Sequence, residues 1–342
     1  MKLRKILAVT VCAALAAVTI SACGGSSGGS SGGSSGGSGA TNAAPAASGK
    51  TQILTFGTAD STGTLYPVGA AIASVINDNV PGVKVNVETS KGSPANCTNV
   101  QAGEIELGLA TGDVARDAVE GKGNFEGQAC PDLRCIAATF PSISGWMALR
   151  SSGLTMVHDL DGKNISIGPE ASATETAALA AIAACGITPA ETTNLGIGDA
   201  SEEVGDGMRD ANHAFAGQPI GGQLSVAQTK DCVFLGYTDD ELEKIVTGNP
   251  SYYKTVIPAG TYPGQDADVP TFGVKCVVIV RADMDEEMVY NFTKQIATHT
   301  TDLGNAHQAL LSMADPDFVC NDLPIELHPG AKRYYEEAGM LK

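Results

Sequence analysis

Four junctions between predicted strands and predicted helices constrain the fold of this chain more than any other feature. Each begins where a short apolar run stops, and small, hydroxylated or glycine residues follow before the helix; the junctions are residues 57–69, 88–96, 111–117 and 168–175. The first backbone N–H groups of such helices have no partners and lie at the positive end of the helix dipole. These helix ends bind carboxylates and phosphates. The sequence therefore predicts a small-ligand site and indicates no reaction.

The body of the chain alternates strand-like and helix-like segments, which is typical of α/β proteins. Short apolar runs predict strands at residues 52–56, 83–87, 106–110 and 164–167, and two further apolar runs fall within 136–149. Helices are predicted at 69–77, from 96 to about 102, after 111, and from the fourth junction to residue 185. Ligands in open α/β sheets bind at the carboxyl ends of the strands, where all four junctions are predicted to lie.

The N-terminal segment predicts export and a lipid anchor. Three basic residues precede a short apolar run at residues 6–20, and the small residues before Cys23 match the lipobox of bacterial lipoproteins. We therefore predict a signal peptide at 1–22, lipidation of Cys23 and an extracytoplasmic protein anchored to the membrane. The alternative is an ordinary signal peptide in which this cysteine is incidental.

A flexible linker is predicted after the anchor. Gly and Ser alone fill residues 24–39, and an Ala-rich stretch follows them, so residues 23–49 cannot bury a core. The remaining part, from residue 50 to 342, is long for one compact domain and suits two lobes. With 38 acidic against 21 basic residues, the net charge of −17 argues against nucleic acid as a partner.

Cysteine and histidine spacing does not predict a metal site or an enzyme. Cys12 and Cys23 belong to the signal and the anchor, which leaves seven cysteines and at least one free thiol; Cys130 and Cys135 are close enough in sequence to pair. The five histidines are scattered, and neither a Gly-x-Ser-x-Gly elbow nor a dinucleotide fingerprint is present. We expect neither catalysis nor a cofactor.

In their order, these segments resemble the TAXI family, the extracytoplasmic solute receptors of TRAP transporters. The matching stretches are residues 57–69, GSPAN at 92–96, TGDVARDA at 111–118, DLDGK at 159–163, 168–175, AGQP at 216–219, 257–265 and 327–335. The match covers nearly all of the chain after the linker. It implies a type II-like, periplasmic-binding-protein-like clamshell, in which crossover strands join two α/β lobes at a hinge.

The resemblance also implies lobe boundaries and a function. Residues 50–147 and 262–342 would form the first lobe and 148–261 the second, with the hinge near 146–150 and 258–264. The receptor would capture a small organic acid, namely an acidic amino acid or a dicarboxylate such as glutamate or 2-oxoglutarate. It would deliver this acid, as a monomer, to a sodium-coupled membrane permease. An ABC-type or sensor-linked binding lipoprotein is the alternative.

Ligand-binding positions transfer from the family motif by motif. They are Thr58, Ser61, Thr62, Thr64 and Tyr66 in the first junction, Ser93 and Asn96 in the second, Asp113 in the third, Ser172, Thr174 and Glu175 in the fourth, and Gln218. Ser172 and Glu175 also have capping-box spacing, and Asp113 has the alternative role of a helix cap.

Three positions depart from, or add to, the usual pattern of the family. Asp60 replaces one of the glycines of the first loop, Lys91 offers a positive charge in the second, and Gln218 replaces an apolar residue. Lys91 is expected either to pair with Asp60 or a distal ligand carboxylate, or to be solvated.

Overall fold

The computed structural model describes residues 51–342, so the predicted signal peptide, Cys23 and nearly all of the linker lie outside the described residues. Within this range the strands are β1 Gln52–Gly57, β2 Val83–Glu88, β3 Leu107–Thr111, β4 Leu133–Leu149, β5 Asn164–Ser166, β6 Glu191–Thr193, β7 Ala211–Ala216, β8 Cys232–Leu235, β9 Tyr253–Ile257 and β10 Val269–Arg281. The predicted strands at 52–56, 83–87, 106–110 and 164–167 are confirmed.

Eleven α-helices occur between residues 51 and 342. They are α1 Leu65–Asn79, α2 Ser93–Ala102, α3 Gly112–Glu120, α4 Ala173–Cys185, α5 Ile197–Gly205, α6 Gly221–Ala227, α7 Asp239–Gly248, α8 Glu286–Thr298, α9 Thr300–Ala306, α10 Pro316–Cys320 and α11 Pro329–Glu337. The first four follow the four junctions, as predicted. The α1 helix begins four residues earlier than the predicted position 69. Its first turn includes Pro67, and a proline is tolerated there because the N–H that it lacks would have no partner in the first turn.

One mixed sheet runs through both lobes in the order β2-β1-β3-β10-β4-β7-β5-β6, with β8 added to β4 and β9 added to β10. In the first lobe β1 pairs in parallel with β2 and β3. In the second lobe β5 pairs in parallel with β6 and β7. Parallel pairing brings the strand-to-helix junctions of each lobe to one edge of the sheet, which confirms the predicted α/β class.

Two long antiparallel strands, β4 and β10, join the lobes. The N-terminal part of β4 pairs with β10, and its residues 143–149 pair with β7 and β8 of the second lobe. The two apolar runs predicted within 136–149 therefore belong to a single strand, which continues through Pro141 because neighbours pair on both sides of this position. The lobe boundaries after residues 147 and 261 stay a prediction.

Large buried side chains lie along the paired strands β4 and β10. Phe140, Trp146 and Phe272 are fully buried there, and nearly every residue of β4 is buried on both faces of the sheet. Central strands that are covered on both faces have continuous apolar sequences. Full burial of each large apolar side chain contributes about 1.5–3 kcal/mol, so the packing along this strand pair stabilises both lobes.

All seven cysteines of the described residues are free thiols, and six of the seven are buried. Cys130 and Cys135 do not pair: Cys130 lies before β4, Cys135 lies within it, and both are part of the apolar core. Burial raises the pKa of both thiols, so they remain protonated and unreactive. Among residues 51–342, no helix has the length and apolar character needed to cross a membrane.

Candidate functional site

A cleft of about 590 Å³ opens between the two lobes at the carboxyl ends of their parallel strands. Loops after β1, β2 and β3 form the wall of the first lobe, and loops after β5 and β6 together with the end of β7 form the wall of the second. The carboxyl edge of parallel strands is where open α/β sheets hold ligands. The volume is that of a small-molecule site.

Five helices of nine residues or more begin at this cleft. Their first residues or N-caps line it: Leu65 of α1, Ser93 of α2, Thr111 before α3, Ala173 of α4 and Ile197 of α5. Each helix start carries a partial positive charge and N–H groups without intrahelical partners. Five such starts around one cleft favour a ligand with a negative charge.

Five of the residues predicted from sequence line the cleft. They are Ser61, Thr64, Ser93, Ser172 and Thr174. Four of the five have hydroxyls that already make hydrogen bonds. Thr64 donates to the Gly217 carbonyl, while Ser93, Ser172 and Thr174 accept from the backbone N–H groups of Thr111, Glu175 and Phe215. Their direct contact with a ligand stays a prediction.

Thr58 and Asn96 lie behind the cleft wall and hold it in place. Asn96 is fully buried, and its side-chain amide donates to three carbonyls, those of Gly57, Thr58 and Leu109, at 2.7–3.2 Å. The Thr58 hydroxyl donates to the Glu88 carbonyl at 2.7 Å. These bonds tie the loop after β1 to the ends of β2 and β3, so both residues organise the site without lining it.

The other predicted residues also lie outside the cleft lining. Glu175 accepts from the Ala171 N–H beside the start of α4 and from the side-chain amide of Asn194, which follows β6. The Tyr66 side chain is half-buried on α1. Gln218 lines a separate crevice and accepts a hydrogen bond from the Tyr262 hydroxyl. Ligand binding by these three residues is not supported by their position.

Asp113 is buried beneath the cleft and contacts the second lobe. Its carboxylate accepts a hydrogen bond of 2.6 Å from the Tyr252 hydroxyl, and only 1% of the residue is exposed. Burial raises the pKa of Asp113, and the hydrogen bond from Tyr252 opposes this shift. The structure therefore gives Asp113 a cross-lobe contact in place of the predicted contact with a ligand.

Sequence reasoning missed a fifth junction, at residues 193–197. Asn194, Gly196 and Ile197 line the cleft between β6 and α5. The β6 strand has only three residues, all polar, so no alternation of apolar and polar residues predicts it. Phe215, the aromatic residue of the lining, was missed as well, because β7 is buried throughout and no sequence pattern distinguishes its cleft-facing residue.

Three charged side chains line the cleft. Lys91 is exposed at its mouth and, within residues 51–342, makes no ion pair. Asp60 and Glu170 contribute two carboxylates. Lys91 is thus positioned beside the start of α2, where it adds a full positive charge to the partial charge of the helix end.

A buried hydrogen-bond chain connects the cleft wall to β4. His213 contacts the Thr174 carbonyl through Nδ1 at 3.1 Å and the Ser144 hydroxyl through Nε2 at 2.9 Å. The carbonyl only accepts, so Nδ1 carries the proton, and Nε2 of the neutral ring accepts from Ser144. Ser144 then accepts from Tyr237, which accepts from the Trp146 indole.

This chain is structural and not a catalytic pair. His213 and Ser144 are at most 1% exposed and do not line the cleft, so no solute reaches them. Burial lowers the pKa of His213 to about 3, which keeps the ring neutral. Between residues 51 and 342, no three His, Cys, Asp or Glu side chains are grouped so that they would hold a metal ion.

Comparisons with known proteins agree with this architecture. The profile of the NMT1-like family matches residues 56–339. Among solved structures, MatC from Rhodopseudomonas palustris with bound malate is 11% identical, with 84% of this chain and 97% of that chain covered and a TM-score of 0.54. At this identity the likeness concerns the fold alone, and it agrees with a two-lobed protein.

Two further solved structures are similar at lower TM-scores. The alkanesulfonate-binding protein SsuA from Xanthomonas axonopodis pv. citri bound to MOPS is 14% identical, with 84% of each chain covered and a TM-score of 0.48. The substrate-binding protein of an amino acid ABC transporter is 13% identical, with 74% of this chain and 96% of that chain covered and a TM-score of 0.48. At these TM-scores the likeness supports no conclusion about the solute.

Proposed function

We propose that this chain, which belongs to the NMT1-like family, is an extracytoplasmic solute receptor that captures a small organic acid between its two lobes. Five helix starts and Lys91 around one cleft are the observation that carries this proposal. A buried or half-buried site responds to local dipoles and charges more than to the net charge of the chain. An acidic protein therefore offers a local site for an anion.

Typical interaction energies agree with reversible binding of a small acid. Hydrogen bonds to a charged group contribute about 1.5–3 kcal/mol each, and a helix start contributes about 0.3–1 kcal/mol. A micromolar dissociation constant requires about 8 kcal/mol after the costs of association and closure. Several bonds of this size to one carboxylate, together with the helix starts, reach this value.

Binding would proceed by closure of the lobes on the solute. The strands β4 and β10 are the long connections between the lobes, so a bend within them changes the width of the cleft. In the open state the acid meets the loops of the first lobe. The wall of the second lobe then completes its hydrogen bonds, and the solute stabilises the closed state because only that state offers both walls.

At the finer level we propose a TAXI-type receptor of a TRAP transporter, lipid-anchored through Cys23, that hands the acid to a sodium-coupled permease. The ordered motifs along the chain support this branch, and an ABC-type or sensor-linked receptor is the alternative. Reconstitution in vesicles with a TRAP permease tests the branch: uptake should require the receptor and a sodium gradient. Uptake driven by ATP hydrolysis would contradict it.

A ligand screen tests the function itself. Thermal unfolding of the purified protein should shift by a few degrees with a saturating acid, because a ligand at a hundredfold its dissociation constant adds about 2.7 kcal/mol. The panel includes amino acids, 2-oxoglutarate, other mono- and dicarboxylates and neutral sugars. Native mass spectrometry detects any acid that co-purifies. If sugars shift the transition and acids do not, the proposal is wrong.

Lys91 provides the sharpest variant for this test. We expect Lys91→Met to weaken binding of the acid about tenfold, since one charge-assisted contact of about 1.4 kcal/mol is lost. Lys84→Met is the matched control, because Lys84 is exposed on β2 and does not line the cleft. Calorimetric titration measures both. Equal affinities of the two variants would show that Lys91 is only a solvated lysine.

A further inference from the structure

The loop after β1 reaches across the cleft to the second lobe. We define residues 60–64 as the cross-cleft loop. The Thr62 hydroxyl accepts a hydrogen bond of 3.2 Å from the Gly198 N–H, and the Thr62 carbonyl accepts one of 3.3 Å from the Gly222 N–H. The Thr64 hydroxyl donates to the Gly217 carbonyl at 2.6 Å. Three partners from the second lobe thus hold one loop of the first.

Glycines make room for the cross-cleft loop on the facing wall. A Cβ atom at Gly196 would lie 2.9 Å from the Asp60 carboxylate, and one at Gly217 would lie 2.8 Å from the Thr64 methyl group. Real Cβ atoms essentially never approach other atoms to less than 3.0 Å. Asp60 and Thr64 of the loop therefore occupy the space that side chains at positions 196 and 217 of the second lobe would otherwise fill.

The start of α5 obtains its cap from the opposite lobe. Its N-cap is Gly196, which has no side chain to accept from the first turn, and the Thr62 hydroxyl accepts from Gly198 in its place. Asp60 sets the position of Thr62, because its Oδ1 accepts from both the N–H and the hydroxyl of Thr62 at 2.7–2.8 Å. The second oxygen, Oδ2, faces Gly196.

A carboxylate of the chain itself is therefore located at the positive end of α5. Asp60 lines the cleft, and its Oδ2 accepts no hydrogen bond from the described residues. A free carboxylate oxygen at this position accepts hydrogen bonds and repels a second carboxylate. At the start of α5 the protein thus places a carboxylate of its own beside the cleft, with one oxygen left for the solute.

We propose that Asp60 is a specificity-determining residue, which requires the part of the solute facing α5 to be a hydrogen-bond donor and excludes a second carboxylate there. This inference rests on the proposed function, because it concerns the second functional group of the captured acid. The first carboxylate takes the position offered by Lys91 and the start of α2. Amide, hydroxyl or ammonium groups suit the Asp60 side. Of the acids implied by the family resemblance, those with a second carboxylate on this side are disfavoured.

Matched solutes test the inference. Each acid found in the ligand screen is compared with an analogue whose second functional group is a carboxamide in place of a carboxylate, or the reverse. Glutamine and glutamate are the first pair. Calorimetry on the wild-type protein should give at least tenfold tighter binding of the carboxamide. Asp60→Asn retains an oxygen that accepts from Thr62. In this variant, the ratio of the affinities for the carboxamide and the carboxylate should fall at least tenfold.

Asp199→Asn is the control variant. Asp199 lies in the first turn of the same helix, is exposed and does not line the cleft, so its replacement removes a charge near α5 without opening the position that Asp60 fills. Its preference for the carboxamide should equal that of the wild-type protein. Thermal unfolding of all three proteins verifies that the variants are folded.

The outcomes separate this inference from the proposed function. If no organic acid binds the wild-type protein, the proposed function fails. If acids bind but the carboxylate member is equally good or better, the function holds and the role of Asp60 is wrong. That role is also wrong if Asp60→Asn and Asp199→Asn retain equal preferences for the carboxamide. Because the wild-type comparison needs no variant, the test does not depend on the folding of Asp60→Asn.

Discussion

Asn96→Asp should cost on the order of 3–5 kcal/mol of folding free energy, which is the largest effect expected of any isosteric exchange near the site. The amide of Asn96 donates to the carbonyls of Gly57, Thr58 and Leu109 from a fully buried position. An aspartate there would place a carboxylate against three carbonyl oxygens with no donor between them. Because a domain is stable by only about 5–15 kcal/mol, much of the stability would be lost.

Denaturant unfolding checks this prediction, with Asn86→Asp as the control. Asn86 is exposed on β2, so the same exchange there should change the stability by less than about 0.5 kcal/mol. Asn96→Ala should fall between the two, because it removes the donor without burying a charge, and the Thr58 carbonyl keeps Ser90 as a donor. An unchanged midpoint for Asn96→Asp would mean that Asn96 does not hold the loop after β1 in solution.

The second large effect is a loss of stability in acid that originates at His213. Burial lowers the pKa of this histidine to about 3, whereas an unfolded histidine has a pKa of about 6.5. Above pH 6.5 the ring is neutral in both states and contributes no pH dependence. As the pH falls below 6.5, the unfolded state binds a proton that the folded state does not bind until about pH 3. The free energy of unfolding therefore decreases by up to about 1.4 kcal/mol per pH unit, or about 2 kcal/mol by pH 5.

His213→Gln isolates this contribution. Glutamine offers one donor for the Thr174 carbonyl and one acceptor for Ser144, but it does not titrate. Other groups act in both directions: burial also lowers the pKa of His307 and His328, and it raises that of Asp113. These contributions cancel when the variant is compared with the wild-type protein. We expect the loss between pH 7 and pH 5 to be about 2 kcal/mol smaller in the variant, and equal losses would contradict a buried neutral His213.

The sequence by itself determined the α/β class and the local positions of most first-lobe elements. The strand-to-helix junctions at residues 57–69, 88–96 and 111–117 were evident because glycine and hydroxylated residues interrupt apolar runs there. Their backbone chemistry is local, so it can be read without tertiary information. The same local logic identified Ser93 and Ser172 as residues at helix starts, and both line the cleft.

Tertiary structure alone decided which residues of each junction face the cleft. Asn96 and Asp113 have ligand-type side chains, yet both are buried behind the wall because β3 and the second lobe supply their partners. The junction before α5 was not predicted, because β6 is short and polar and the position of β6 depends on its pairing with β5. The contact between Asp60 and Gly196 joins residues that are distant in sequence, so no local pattern predicts it. Local sequence specifies helix starts, whereas the packing of two lobes specifies which of them remain free for a ligand.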